Sequence, residues 1–137
     1  MRVGGNVTPN ELVLLIVEDD EEMRSLLCDE LWAEGYQVRQ AKNGDEALTA
    51  ASESAPKVII TDLRMPSGGV SYINSLRTLA PDCPIIVITA FGDKATKSEV
   101  LAAGATRYFS KPVRISELKA TVKELVVTLR APQGGRL

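Results

Sequence analysis

Five short apolar runs, each bounded by turn residues and followed by a longer segment of helical period, recur along the chain, and no other feature constrains the fold as strongly. Strand-sized runs alternating with amphipathic helices are the pattern of βα units around a parallel sheet. The first run is Leu12 to Val17, followed by a helix from about Asp20 to Glu34 with Met23, Leu27 and Leu31 on one face and Gly35 as its stop. The second unit is Tyr36 to Ala41, then a helix from about Gly44 to Ser54 that ends before Pro56. Lys57 to Thr61 reads as a third strand, and Tyr72, Ile73, Leu76 and Leu79 mark the helix after it. Ile85 to Thr89 is a fourth, with a helix from about Lys94 to Ala103 closed by Gly104. The fifth unit is Thr106 to Phe109, then a helix from Ser116 to about Arg130 with Leu118, Val122, Leu125 and Leu129 inward.

Runs without polar alternation, such as Leu14-Leu15-Ile16-Val17 and Ile85-Ile86-Val87-Ile88, require a sheet covered on both faces. Right-handed crossovers place helices on both sides, so the expected fold class is a three-layer α/β/α domain. A length of 137 residues suits one such domain. It is expected over 11–130, with loosely ordered tails at 1–10 and 131–137, where apolar residues are few.

The absence of histidine from the sequence excludes Ser-His-Asp and Cys-His catalysis, histidine zinc sites and phosphohistidine chemistry within this chain. Cys28 and Cys83 match no metal-ligand spacing. A formal net charge of −2 gives no broad electrostatic reason to bind nucleic acid or an anionic membrane. The apolar runs are far shorter than a bilayer span and the N-terminus lacks a signal peptide's apolar region, so the expected location is the cytoplasm.

In an open parallel sheet, ligands sit beyond the carboxyl ends of the strands. There stand Glu18 and Asp19 after strand one, Asp62 after strand three, Thr89 at the end of strand four and Lys111 just after strand five. Each has a plain structural reading. Asp20, Glu21 and Glu22 cap a helix and complement its dipole, and Glu18 and Asp19 suit the same cap; Asp62 suits a turn before Pro66; Thr89 is a β-branched strand residue; Lys111 suits a solvated turn. What favours a functional reading is that one edge of the sheet collects all of Glu18, Asp19, Asp62, Thr89 and Lys111. Three carboxylates in one cleft repel unless a cation joins them, and all-oxygen ligands with room for water suit Mg²⁺. A carboxylate beside Mg²⁺ can attack phosphorus, with Lys111 and Thr89 receiving the transferred group's oxygens.

Four segments in this order resemble the receiver domain of two-component response regulators: Val17-Glu18-Asp19-Asp20 with Arg24 downstream, Thr61-Asp62-Leu63-Arg64-Met65-Pro66, Ile88-Thr89-Ala90, and Tyr108-Phe109-Ser110-Lys111-Pro112. The resemblance runs from Leu12 to about Leu129. It implies a flavodoxin-like fold with a five-stranded parallel sheet in the order 2-1-3-4-5 and a cis Lys111-Pro112 bond. It implies Asp62 as phosphoacceptor, Asp19 as direct Mg²⁺ ligand, Glu18 as outer partner through water, and the Arg64 carbonyl as backbone ligand. Thr89 would be the switch hydroxyl, Tyr108 the switch aromatic and Lys111 the lysine that pairs with the phosphoryl group. The implied donor is a phosphohistidine on a sensor histidine kinase or histidine phosphotransfer protein. The implied output is a downstream protein on the face built by helix four, strand five and helix five, or a second copy of the chain on phosphorylation.

Two departures stand out. After Pro66 such domains usually carry one more residue before the glycine that opens helix three; here the run is Ser67-Gly68-Gly69. Phe91 follows Ala90 where many receivers carry something smaller or polar. An aspartate-based phosphatase would also use Asp and Mg²⁺, but it needs a second Asp two residues after the nucleophile, and that position is Arg64. A degenerate receiver serving only as a binding module is the other rival, against which Asp19, Asp62, Thr89 and Lys111 all stand.

Overall fold

The computed structural model describes residues 12–90 and 93–130, the last three by backbone alone. Along the chain run β1 (Val13–Val17), α1 (Glu21–Ala33), β2 (Gln37–Ala41), α2 (Gly44–Glu53), β3 (Val58–Asp62), α3 (Val70–Leu79), β4 (Ile85–Thr89), α4 (Lys94–Ala103), β5 (Arg107–Ser110) and α5 (Ile115–Arg130). The five strands form one parallel sheet in the order β2-β1-β3-β4-β5. This is the expected three-layer α/β/α fold. The tails at 1–10 and 131–137 and the residue Phe91 lie outside the described residues.

Alternate residues of each central strand point to opposite faces, and each face builds its own core. Leu15, Val17, Ile59, Ile85 and Val87 pack against Ala47 and Ala51 of α2, Tyr72, Ile73 and Leu76 of α3, and Val100 of α4. Leu14, Ile16, Val58, Ile60, Ile86 and Ile88 pack against Leu27, Cys28 and Leu31 of α1 and Leu118, Val122, Leu125 and Val126 of α5. Short polar caps set the helix starts. Asp20 accepts from Met23 N–H, Asn43 from Glu46 N–H and Asp93 from Thr96 N–H, each at 2.8 Å.

The structure shifts some boundaries. β3 runs through Asp62 and β5 through Ser110, because ladder pairing with Ile88 and Thr89 carries both strands past their last apolar residue. Leu79, one of the residues that mark α3 in the sequence, is 40% exposed at the helix end. The side chain of Leu129 lies outside the described residues. Among the described residues, no helix is long and apolar enough to cross a membrane.

Candidate functional site

The carboxyl ends of β1, β3 and β5 bring three charged groups into contact. Lys111, just beyond β5, extends its Nζ to 2.9 Å from Glu18 Oε1 and 3.0 Å from Asp62 Oδ2. Glu18 follows the last residue of β1, and Asp62 is the last residue of β3. Both carboxylates are buried, whereas Asp19 is exposed. Oxygens of Glu18, Asp19 and Asp62 all lie within 4.8 Å of one another.

Each buried carboxylate is held from a second direction through its other oxygen. Asp62 Oδ1 accepts from the N–H groups of Leu63 at 2.7 Å and Arg64 at 3.1 Å, and Glu18 Oε2 accepts from Asp20 N–H at 3.1 Å. The backbone of Glu18 is fixed in turn. Its N–H donates to Ala41 O at 3.1 Å, and its carbonyl accepts from Arg24 Nη1 at 2.8 Å. Below the site, Thr61 Oγ1 donates to the Asp62 carbonyl and lies 2.8 Å from Tyr72 O–H. A hydroxyl has one proton, so Tyr72 is the donor in that pair.

Burial pushes the Glu18 carboxyl above the ordinary glutamate value, and the charge of Asp62 adds to this, against the hydrogen bonds from Lys111 and the Asp20 amide. For Lys111, burial works to lower the pKa, but hydrogen bonds to Glu18 and Asp62 outweigh it and the ammonium is held above the ordinary lysine value. Three carboxylates against one ammonium form an all-oxygen, net-negative cluster, and that donor set fits a hard divalent cation.

Thr89 ends β4, one residue beyond Ile88, the register partner of Asp62. Its carbonyl accepts from Lys111 N–H at 2.8 Å. Among the described residues, neither Thr89 Oγ1 nor the Tyr108 hydroxyl oxygen, both buried, has a hydrogen-bond partner. An orphaned buried hydroxyl costs about 1–3 kcal/mol, so Thr89 is poised to gain from an acceptor brought to this edge.

The family model described as the response regulator receiver domain matches residues 14–123. The chain belongs to that family. The receiver is 37% identical over 114 residues to the transcriptional regulatory protein PrrA of Mycobacterium tuberculosis, a match covering 82% of this chain and 49% of PrrA. It is 31% identical over 112 residues to sporulation initiation phosphotransferase F of Bacillus subtilis, covering 81% of this chain and 90% of that protein. Among solved structures, a response regulator from Burkholderia pseudomallei with a phosphorylated aspartic acid, calcium ion and citrate superimposes with a TM-score of 0.75 at 31% identity, covering 88% of this chain and 75% of that one. The receiver spans about half the length of PrrA and of the other transcriptional regulators it matches.

Of the residues expected at the site, the receiver brings Glu18, Asp19, Asp62 and Lys111 together directly, places Thr89 beside them, and offers Arg64 through its amide. The Lys111-Pro112 bond is cis. Sequence reasoning did not find the Thr61-Tyr72 bond or the role of Arg24, which also donates through Nε to Gln40 Oε1 at 3.1 Å and ties β1 to β2. The signal for the Thr61-Tyr72 bond was residue type alone, a tyrosine on an otherwise aliphatic helix face, whereas Arg24 stood in the first segment of the resemblance without a contact assigned to it.

Proposed function

We propose that this receiver, over residues 11–130, accepts a phosphoryl group onto the carboxylate of Asp62 from a phosphohistidine on a sensor histidine kinase or histidine phosphotransfer protein. The observation that carries this reading is a buried Asp62 carboxylate with one oxygen on Lys111 and the other on two backbone amides, inside a net-negative cluster. An Asp62 oxygen attacks phosphorus, the P–N bond breaks, and the departing imidazole takes up a proton. The histidine must be the partner's, since this chain has none. The phosphorylated aspartic acid and calcium ion of the Burkholderia regulator support the same chemistry here.

Asp19 and Asp62 would hold Mg²⁺ directly with the Arg64 carbonyl, and Glu18 through water; the ion would neutralise charge on the incoming phosphoryl oxygens. Lys111 then turns its ammonium from Asp62 to a phosphoryl oxygen, keeping Glu18 as its second partner. The Thr89 hydroxyl donates to another oxygen and ends its orphaned state. Tyr108 responds to the movement of Thr89, and the face of α4, β5 and α5 passes the change to a downstream protein or to a second copy of the chain. The receiver catalyses only its own phosphorylation and dephosphorylation, works in the cytoplasm and does not itself bind nucleic acid.

Incubation with a small acyl phosphate and Mg²⁺, followed by intact mass, tests this. One added phosphoryl group that a chelator abolishes is the expected result, and no addition in the presence of Mg²⁺ contradicts it. Asp19→Ala should impair labelling more than Glu18→Ala; the opposite ranking would exchange their roles.

A further inference from the structure

The chain between Asp62 and α3 is folded tightly on itself and on the first turn of α2. Gly68 N–H donates to Met65 O and Gly69 N–H to Leu63 O, both at 3.0 Å. Gly44, the first residue of α2, donates its N–H to Pro66 O at 3.0 Å, and Ser67 Oγ donates to Asp45 Oδ2 at 2.8 Å. There is no spare room at this contact. A Cβ on Gly44 would fall 1.8 Å from the Ser67 carbonyl oxygen, and one on Gly68 would fall 2.4 Å from the Leu63 carbonyl oxygen. Ser67 itself has φ 61°, in the left-handed region that a non-glycine residue adopts only where its surroundings hold it there. The run Ser67-Gly68-Gly69, one residue short of the usual pattern, therefore closes onto α2 rather than standing free.

The same loop carries the Leu63 and Arg64 amides that donate to Asp62 Oδ1 at 2.7 and 3.1 Å. A shift of the loop moves these donors and releases one side of the carboxylate. We propose that Gly44 and Asp45 are positioning residues for the phosphoacceptor. Through Pro66 and Ser67 they lock the loop so that its amides hold one Asp62 oxygen while Lys111 holds the other. This rests on the proposed phosphorylation of Asp62. It makes the first turn of α2, which reaches Asp62 through the loop, a determinant of its geometry.

The test compares initial phosphorylation rates with acetyl phosphate and Mg²⁺, read by intact mass, for wild type, Gly44→Ala, Asp45→Ala, Asp45→Asn and Ser67→Ala. Leu63 and Arg64 amide shifts are recorded by NMR in the unphosphorylated, metal-free proteins. Opening the Gly44 contact from 1.8 Å to the 3.0 Å that real Cβ contacts respect needs about 1.2 Å of separation. Misplacement on that scale near a reacting group slows reaction by up to about 100-fold, so Gly44→Ala is expected to be about 10- to 100-fold slower, with both amide shifts moved. Asp45→Ala and Ser67→Ala slow the reaction several-fold, while Asp45→Asn, whose amide oxygen still accepts from Ser67, returns to near the wild-type rate. If Gly44→Ala does not fold, the Asp45 and Ser67 variants decide. Rates within about twofold of wild type in every folded variant, or Leu63 and Arg64 shifts that do not move, overturn the proposal, and an Asp45→Asn rate as low as that of Asp45→Ala overturns the part given to Asp45. A wild-type protein that takes up no phosphoryl group overturns the function of Asp62 instead, and the amide shifts still report on the lock.

Discussion

Lys111 Nζ stands 3.0 Å from Asp62 Oδ2, so a single ion pair bridges the end of β5 to the end of β3 across the intervening strand β4. Because the same ammonium lies 2.9 Å from Glu18 Oε1, it also reaches β1, and one flexible side chain ties three strand ends into a site.

Replacing Lys111 with Met keeps most of the volume and leaves two buried carboxylates without their cation. Breaking a buried pair by removing one partner costs about 3–5 kcal/mol, and the 23% exposure of the Lys111 side chain favours the lower end, about 3 kcal/mol. Thermal unfolding of Lys111→Met should show this loss in a chelator and a smaller loss with Mg²⁺ present. Equal unfolding temperatures for wild type and variant in the chelator would contradict the pairing.

Thr61 and Tyr72 should respond unequally to substitution. Tyr72→Phe removes one hydrogen bond but leaves Thr61 donating to the Asp62 carbonyl, a loss of about 1 kcal/mol. Thr61→Val strands the buried Tyr72 hydroxyl and should cost about 1–3 kcal/mol. Urea unfolding that ranks Tyr72→Phe as the more damaging change would show the donor to be misassigned.

The thiols give a pH dependence. Burial pushes both Cys28 and Cys83 up to about 11, from an ordinary value of 9.0. Unfolded thiols therefore ionise first, and the native state holds more protons between these values. Stability from this source is complete below pH 9 and falls as the pH rises toward about 11. A Cys28→Ala/Cys83→Ala variant should lose less stability between pH 8 and pH 10.5 than wild type, measured by urea unfolding; an identical fall would exclude the thiols as its cause.

Thr89→Ala should still accept a phosphoryl group, because Asp62, Lys111 and the acidic cluster remain. Carrying a two-state equilibrium from 1:99 to 99:1 takes about 5.5 kcal/mol, and charge-assisted hydrogen bonds of about 1.5–3 kcal/mol each are the proposed source. Without the Thr89 hydroxyl, hydrogen exchange around Tyr108 should change little on phosphorylation. A full wild-type response there would refute the coupling.

The order of elements was legible in the sequence because fully apolar runs such as Ile85 to Ile88 have few alternatives to a doubly covered strand. The strand order was not legible from periodicity and came with the family resemblance. Asp62 and Ser110 were read as lying outside their strands because polar residues end an apolar run, while the backbone ladder that includes them depends on neighbours distant in sequence. The convergence of Glu18, Asp19, Asp62 and Lys111 followed from their shared sheet edge. The double contact of Lys111 did not, since its partners lie 93 and 49 residues away. Gly44 carried no signal beyond that of a helix start, because its close approach to Ser67 exists only once α2 and the loop after β3 have packed.

The most direct test of the account is phosphorylation of Asp62 itself. Wild type, Asp62→Asn and Asp20→Ala are incubated with a small phosphodonor and Mg²⁺ and compared by intact mass. Asp20→Ala removes only the α1 cap, at about 1 kcal/mol, and keeps the amide that donates to Glu18. The account predicts one phosphoryl group on wild type and on Asp20→Ala and none on Asp62→Asn; labelling of Asp62→Asn to the wild-type extent would contradict it.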